Sequence, residues 1–259
     1  SLSIAQGEDA MDIIYTSCCG LDVHKRTIQA CVRRVNKGGK VHHQVRTFST
    51  MTGDILALAD WLAAEDVTHV AMESTGVYWK PIYNILEGRF TILLVNARHV
   101  KNVPGRKSDV LDCQWLQQLH TYGLLRGAFR PTEQVCTLRA YVRQRAMLVR
   151  CGASYIQRMQ KALSQMNLQL HNVVTDITGV TGMRIIKSIL SGERNPKVLA
   201  ALRDVRCKND EATIARSLQG NYRPEHLFSL RQALELYEFH QAKIADCDLQ
   251  ILEQLKSFD

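Results

Sequence analysis

Apolar and polar positions follow two different periods in the first half of the chain. Alternation with a period of two, or a short apolar run, indicates a strand, and a period between three and four indicates a helix. We expect five strands, at residues 12–22, Thr27–Arg34, Val41–Ser49, His69–Glu73 and Phe90–Val95. We expect three helices, at Thr52–Ala64, Tyr78–Leu86 and from Asp109 to about His120, the last with Ser108 as its N-cap. The apolar run Phe90–Val95 is typical of a strand that is buried on both faces.

The order of these elements predicts a fold class. The first three strands follow one another with a turn at Asn36–Lys40, which indicates an antiparallel meander. The later strands alternate with helices, which indicates parallel crossovers. This βββαβαβα order is the ribonuclease-H-like arrangement, and we expect it to occupy residues 12–130 as an α/β domain with a mixed sheet. A polar, basic loop is expected at Asn96–Lys107.

The second half of the chain, residues 131–259, predicts a helical coiled-coil region. From Gln134 the apolar residues keep to steps of three and four as far as Leu170, and only Arg145 and Gly152 interrupt them. A second heptad pattern runs from Leu227 to Phe258, with the polar residues Gln241 and Asp248 at seam positions. These seams could pair within one chain or across a dimer, and we favour a homodimer or a higher oligomer. Since the pattern has no closing turn, we expect the chain to be truncated within this helix.

Composition limits the partners and the cellular location that we expect, without deciding the function. The formal net charge of +8 is a mild indication of a polyanionic partner. No apolar segment approaches the length of a membrane span, and no signal-peptide pattern opens the chain, so we expect a cytoplasmic protein. The eight cysteines include no C-x-x-C pair, which favours buried free thiols over a zinc site. We expect residues 1–11 to be an addition that precedes a native start at Met11.

Four acidic residues occupy positions that suggest a metal site. Asp22 and Glu73 each end an apolar strand, and Asp109 and Asp112 lie three residues apart at the start of the third helix. Carboxylates at the ends of buried strands are costly unless they are paired or bind a metal. Oxygen ligands suit Mg²⁺ or Mn²⁺, and two such ions can stabilise the attacking and leaving oxygens of a phosphoryl transfer. The four acids therefore predict metal-dependent chemistry on a nucleic acid.

Each acid also has an ordinary structural interpretation. Asp22 suits a turn at a strand end, and Glu73 suits the cap of the following helix. Asp109 and Asp112 would interact favourably with a helix dipole. The metal-site interpretation is favoured because all four fall at one edge of the same predicted fold.

Basic residues form two candidate surfaces for nucleic acid. The first comprises Lys25, beside the end of the first strand, and the loop residues Arg98, Lys101, Arg106 and Lys107. The second is the stretch between Glu133 and Asp176, which has six basic residues and no acid, among them Arg139, Arg143 and Arg150. A solvent-exposed helix face is the alternative for the second surface. His24 is interpreted as an ordinary polar residue.

Three motifs resemble those of a known family. Gly20-Leu21-Asp22-Val23-His24-Lys25, Met72-Glu73-Ser74-Thr75-Gly76 and Lys107-Ser108-Asp109-Val110-Leu111-Asp112 are similar to motifs of the DEDD insertion-sequence transposases. That family has a RuvC-like first domain and includes recombinases guided by a bridge RNA. The resemblance implies Asp22, Glu73, Asp109 and Asp112 as catalytic metal ligands for Mg²⁺ or Mn²⁺. It also implies DNA and a structured guide RNA as partners, and assembly as an oligomer.

The resemblance leaves three functions in competition. The family has a further C-terminal domain with a serine nucleophile, and we find no such domain in this chain. The first function is RNA-guided DNA recombination, of which this chain would be a fragment. The second is a RuvC-type junction endonuclease in which water is the nucleophile. The third is a nucleic-acid-binding module in which the acids serve only the fold.

Overall fold

The computed structural model describes residues 13–35, 40–74, 76–104 and 111–258, with the Lys101 side chain also left undescribed. The chain divides between Arg130 and Pro131 into two compact units. The elements of the first unit, in chain order, are strands β1 (Ser17–Val23), β2 (Thr27–Val35) and β3 (Val41–Ser49), helix α1 (Thr52–Ala64), strand β4 (His69–Glu73), helix α2 (Trp79–Leu86), strand β5 (Thr91–Val95) and helices α3 (Ala97–Asn102) and α4 (Asp112–Thr121).

The first unit is built around one five-stranded mixed sheet. Its strand order is β3-β2-β1-β4-β5. The pairs β1–β2 and β2–β3 are antiparallel, and the pairs β1–β4 and β4–β5 are parallel. This is the ribonuclease-H-like topology, so the fold class predicted from the element order is confirmed.

Each face of the sheet is covered by a separate apolar cluster. On one face, Leu21 and Met72 pack with Leu58 of α1 and Ile82 of α2. On the other face, Ala71 and Val95 pack with residues of α4, including Trp115, Leu116 and Leu119. Alternate residues of β1 and β4 therefore face different helices, and this alternation decides where the acids at the strand ends point.

Three expectations for the first unit are corrected by the structure. β1 begins at Ser17, because the backbone amides of Ile14 and Tyr15 donate to the Thr121 carbonyl instead of to the sheet. The expected basic loop contains helix α3, whose N-cap Asn96 side chain accepts a hydrogen bond from the Arg98 amide at 2.9 Å. β5 is an edge strand of the sheet and only its last two residues are buried, so burial on both faces was wrong.

The third predicted helix also begins later than expected. α4 starts at Asp112, and Leu111 before it has an extended backbone. The continuous helix from Asp109 was therefore wrong, since Leu111 interrupts it. Ser108, its expected N-cap, lies outside the described residues, as do residues 1–12.

The second unit is helical throughout its described length. It comprises α5 (Glu133–Gln165), α6 (Leu170–Val173), α7 (Val180–Leu190), α8 (Pro196–Ala200), α9 (Glu211–Ser217) and α10 (Pro224–Leu255). The long helices α5 and α10 pack against each other. The C-terminal half of α5 and the N-terminal half of α10 share one apolar core with the short helices. None of the helices within the described ranges is long and apolar enough to cross a membrane.

Two helix ends in this unit differ from the heptad pattern. α5 stops at Gln165 because Asn167 adopts a positive φ of 56°, so Leu170 belongs to the next helix. α10 ends at Leu255, where the amides of Ser257 and Phe258 close a turn on the Gln254 and Leu255 carbonyls. The expected truncation of the chain stays a prediction.

A candidate acidic site at the sheet edge

Asp22 and Glu73 end two neighbouring parallel strands. Leu21 of β1 pairs with Met72 of β4, so the next residue on each strand is one of the two acids. Leu21 and Met72 point into the core under α1 and α2. Because side chains alternate along a strand, Asp22 and Glu73 project from the opposite face, which is the face that α4 covers.

Gly20 brings α4 against that face. A Cβ atom on Gly20 would lie 2.3 Å from the Cys113 carbonyl oxygen and 2.5 Å from the Gln117 amide nitrogen. Only a residue without a side chain permits such a close approach of helix to strand. Since Asp112 precedes Cys113, this contact sets the first residue of α4 beside the end of β1.

The charges of the three acids act on one another. The pKa of Asp22 is raised first by burial, and the negative charges of Asp112 and Glu73 raise it further. The Asp22 side chain is 15% exposed, which allows these charges to act through a medium that screens less than water. Burial, and then the charge of Asp22, raises the pKa of the neighbouring Cys113 thiol to about 11. Asp22, Glu73 and Asp112 thus form one electrostatically coupled group, which we call the acidic edge.

His24 is a member of this site that the sequence analysis did not select. Its Nε2 atom lies 3.1 Å from Oδ2 of Asp22, and its charge and hydrogen bond lower the pKa of that carboxyl against the effect of burial. The signal was the spacing of two residues at a strand end, which places both side chains on the same side of the chain. Interpreting His24 as an ordinary polar residue missed this contact.

The fourth predicted acid and two of the predicted basic residues cannot be placed. Asp109, Arg106 and Lys107 lie outside the described residues. Within the described ranges, no three His, Cys, Asp or Glu side chains stand in an arrangement that could bind a metal ion. Asp22, Glu73 and Asp112 are therefore close enough to interact but do not by themselves form a metal cage.

The described basic residues lie in both units. Lys25 is exposed directly after β1, and Arg98 is exposed in the first turn of α3. Lys101 also belongs to α3. Arg139, Arg143 and Arg150 are exposed on α5, in the second unit. The sheet edge therefore carries both acids and bases, whereas the exposed arginines of α5 form a surface within the other unit.

All eight cysteines are free thiols. Cys18, Cys19, Cys31 and Cys113 are buried in the first unit, between β1, β2 and α4, and burial raises the pKa of each. These four thiols are thus packing residues held in the protonated form. The expectation of burial was wrong for Cys151, which is exposed, and the remaining three cysteines are partly exposed.

Fold and site together define a class of protein. The sheet is ribonuclease-H-like, with acids near the ends of two parallel strands and at the start of a facing helix. The family of DEDD transposases of IS110 elements matches residues 19–168, which is more than half of the 259-residue chain. The chain belongs to this transposase family, and thus to proteins of DNA recombination.

Solved structures with partial similarity come from resolvases. RuvC of T. thermophilus in complex with a Holliday junction substrate is 13% identical, covering 43% of this chain and 99% of its own, with a TM-score of 0.32. The Fowlpox virus resolvase with its Holliday junction DNA is 12% identical, covering 36% of this chain and 65% of its own, with a TM-score of 0.26. A search of the curated proteins finds no significant match.

Proposed function

We propose that this chain is a DNA recombinase of an insertion sequence and that Asp22, Glu73, Asp109 and Asp112 bind Mg²⁺ or Mn²⁺. The observation that carries the proposal is that Asp112 and Glu73 both raise the pKa of Asp22, in a chain that belongs to a transposase family. Grouped carboxylates repel one another, and a divalent cation removes that repulsion. The proposal includes Asp109, because the three described acids do not form a metal cage among themselves.

The residues of this chain have separate roles in the proposed site. Hard carboxylate oxygens from Asp22, Glu73 and Asp112 supply the ligands that Mg²⁺ or Mn²⁺ prefers. The bound ion supplies Lewis-acid stabilisation of charge at the scissile phosphate. His24 lowers the pKa of Asp22 against the larger effect of burial, so it acts as a positioning residue. Lys25 and Arg98 are exposed cations of the same unit that can contact DNA phosphates.

Metal binding at the acidic edge is tested by calorimetric titration of Mn²⁺. Wild type is expected to release heat on binding, and Asp22→Asn, Glu73→Gln and Asp112→Asn are each expected to weaken binding at least tenfold. The exposed acid Asp60, which pairs with Arg89 on another part of the surface, provides the control variant Asp60→Asn. If Asp22→Asn and wild type give equal heats, Asp22 is not a ligand and the proposal fails.

The type of reaction is tested on branched and linear DNA with Mn²⁺ present. A recombinase with a protein nucleophile leaves a covalent protein–DNA adduct, whereas a RuvC-type endonuclease that uses water leaves none. Denaturing electrophoresis of labelled DNA separates the two, because only an adduct migrates with the protein. A protein that binds DNA without metal-dependent cleavage of either substrate is instead a non-catalytic module.

We further propose that α5 binds a structured guide RNA. Arg139, Arg143 and Arg150 are exposed on this helix, and no ion pair formed among the described residues involves them. Contacts to phosphates would dominate such an interface, so recognition would depend on RNA shape and weaken steeply with salt. We expect the chain to bind structured RNA more tightly than duplex DNA of equal length.

The RNA surface is tested by replacing the three arginines with Gln. Filter-binding or fluorescence titrations across a salt series are expected to show weaker binding and a shallower salt dependence, while Mn²⁺ binding stays unchanged. Arg223→Gln, which removes an exposed charge at the start of α10, is a single-site control for the general effect of net charge. If the triple variant keeps the affinity and the salt dependence of wild type, RNA does not bind α5.

A further inference from the structure

A second polar site lies on the same face of the sheet, at the opposite end of β1. Arg33 of β2 is 6% exposed, and its Nη1 atom has no hydrogen-bond partner among the residues that the structure describes. Burying an ionised group without a partner is costly, so such a residue is retained only where something offsets the cost. None of the ion pairs formed between described residues includes Arg33.

The unpartnered guanidinium lines a cavity of about 380 Å³ between α4 and the first strands of the sheet. Arg33 pairs across the sheet with Cys18, whose thiol lies 3.3 Å from the Thr121 hydroxyl of α4. The groups that share the cavity with Arg33 are amides, hydroxyls and an imidazole, from His43, Gln114, Gln117, Gln118, Thr121 and Tyr122. No carboxylate lines it among the described residues, so the positive charge of Arg33 dominates its interior.

The acceptors of Thr121, which lines the cavity together with Arg33, are already engaged. The Thr121 carbonyl accepts hydrogen bonds from the amides of Ile14 at 2.9 Å and Tyr15 at 3.4 Å. The Thr121 hydroxyl accepts from Gln117 Nε2 at 2.6 Å and donates to the Gln117 carbonyl at 3.0 Å. The negative end of the α4 dipole makes a cation tolerable here, but it supplies no acceptor for Nη1. Packing alone therefore does not satisfy Arg33.

The charge of Arg33 acts on its neighbours. Burial is the main cause that lowers the pKa of His43, and the positive charge of Arg33 is the second cause. It also lowers the pKa of the Cys18 thiol against the larger effect of burial. Both effects place the guanidinium of Arg33 near the imidazole of His43 and the thiol of Cys18.

We propose that this cavity binds the phosphate group of a nucleotide, with Arg33 as its anchor. A guanidinium presents a planar fork of donors that matches phosphate oxygens. The cavity is larger than a bare oxyanion requires, which leaves room for a sugar and a base. Tyr122 offers a ring on which a base can stack, and the amides of Gln114 and Gln118 offer donors and acceptors to a base edge.

This site is separate from the acidic edge. Arg33 pairs with Cys18, four residues before Asp22 along β1, a distance of about 13 Å along an extended strand. Phosphate binding at Arg33 requires neither a metal ion nor strand cleavage. The proposal is therefore independent of the proposed recombinase function.

The test uses the full chain in EDTA and calorimetric titration with three probes. The probes are thymidine 5′-monophosphate, a single-stranded thymidylate pentanucleotide and thymidine without phosphate. We expect both phosphorylated probes to bind and thymidine to bind at least tenfold more weakly. Tighter binding of the pentanucleotide identifies a nucleic-acid strand as the source of the phosphate, and equal affinities identify a free nucleotide.

Two substitutions on one strand give a matched comparison. Arg33→Gln is expected to weaken binding of the monophosphate at least tenfold. Arg34→Gln makes the same change of charge at the next residue, which faces the other way and pairs with Glu65 and Asp66, and it is expected to bind as wild type does. The proposal is overturned if no phosphorylated probe binds at millimolar concentration, or if Arg33→Gln keeps wild-type affinity.

A second variant covers the case in which Arg33→Gln does not fold. Gln118 is exposed at the rim of the cavity, so Gln118→Glu adds a negative charge there without disturbing the core. We expect this variant to melt as wild type does and to bind the monophosphate at least several-fold more weakly. Unchanged affinity in Gln118→Glu would exclude the cavity as the phosphate site.

Discussion

At the scale of single residues, the acidic edge depends on a carboxylate that the fold makes costly to ionise. Burial and two neighbouring acids raise the pKa of Asp22, and His24 partly offsets them. A carboxyl whose pKa is higher in the folded state favours folding while it is protonated. That contribution is complete below the pKa of the unfolded chain and is lost as the pH rises through the folded pKa. Above the folded pKa, the ionised Asp22 therefore opposes folding.

The first prediction follows from the raised pKa of Asp22 in the folded state. In EDTA at pH 7, Asp22→Asn is expected to raise the melting temperature by a few degrees, because it removes a buried charge that two acids repel. The gain is expected to shrink at about pH 4, near the ordinary pKa of an aspartate. Calorimetric unfolding of both proteins at the two pH values measures it. An Asn variant that melts below wild type at pH 7 would contradict the effect of burial inferred here.

His24 gives the second prediction. Without its charge the pKa of Asp22 rises, so His24→Gln is expected to move the midpoint of Mn²⁺ binding to higher pH while preserving binding at pH 8. Mn²⁺ titrations between pH 5 and pH 8 measure the shift. His42→Gln, at an exposed position of β3, is the matched control. Identical pH profiles for His24→Gln and wild type would show that this contact does not act on the site.

At the scale of elements, the site depends on how closely α4 packs onto β1. Asp22 and Glu73 are aligned by strand register, but Asp112 is brought to them only by a helix that touches the backbone at Gly20. The contact is between a strand and a helix that are far apart in the sequence. The geometry of the acidic edge is thus controlled by a residue that carries no chemistry.

The third prediction concerns that contact. Gly20→Ala forces α4 away from β1, so we expect a loss of about 1–3 kcal/mol of stability and weaker Mn²⁺ binding. Gly53→Ala in α1 meets nothing within 4 Å and is expected to be neutral or stabilising by up to about 1 kcal/mol. Chemical denaturation and Mn²⁺ titration measure both variants. Full Mn²⁺ affinity in Gly20→Ala would show that the position of α4 does not matter for the site.

At the scale of the whole molecule, the two heptad seams meet within one chain. Arg145, which interrupts the first seam, pairs with Asp248, a polar insertion in the second, at 2.5 Å. Gly152, the other interruption, lies beside His240 of α10. Both interruptions of the first pattern therefore lie against α10, and one of them is paired with a polar insertion of the second pattern. Exposed apolar residues remain on both helices, including Val142, Val149, Leu249 and Leu252.

The fourth prediction is that these remaining residues support a homodimer or a higher oligomer. Light scattering at tens of micromolar, where weak dimers form, is expected to give at least twice the mass of the chain. Leu249→Glu with Leu252→Glu places charges on exposed positions of α10 and is expected to reduce the mass to that of one chain. A strict monomer for wild type at this concentration would contradict the prediction.

Local periodicity in the sequence was enough to determine most elements and the fold class. The strands Val41–Ser49 and His69–Glu73 and the helix Thr52–Ala64 occur as predicted, because alternation and helical spacing report burial directly. α3 was missed because its few residues are polar and its start depends on a side-chain hydrogen bond of Asn96. The roles of the four acids as metal ligands stay a prediction, with Asp109 outside the described residues.

Only the tertiary structure decided which polar residues share a site. The sequence by itself indicated that Asp22 and Glu73 lie at the ends of two strands, because periodicity marks where strands stop, whereas the pairing of β1 with β4 is a finding of the structure. The spacing of Asp22 and His24 allowed their contact without establishing it, and the sequence carried no signal that Arg33 is buried without a partner. The burial of Arg33 depends on the packing of α4 on the sheet, through contacts between residues about a hundred positions apart, such as Cys18 with Thr121. Periodicity describes which side of an element is buried, and it does not describe what is packed against that side.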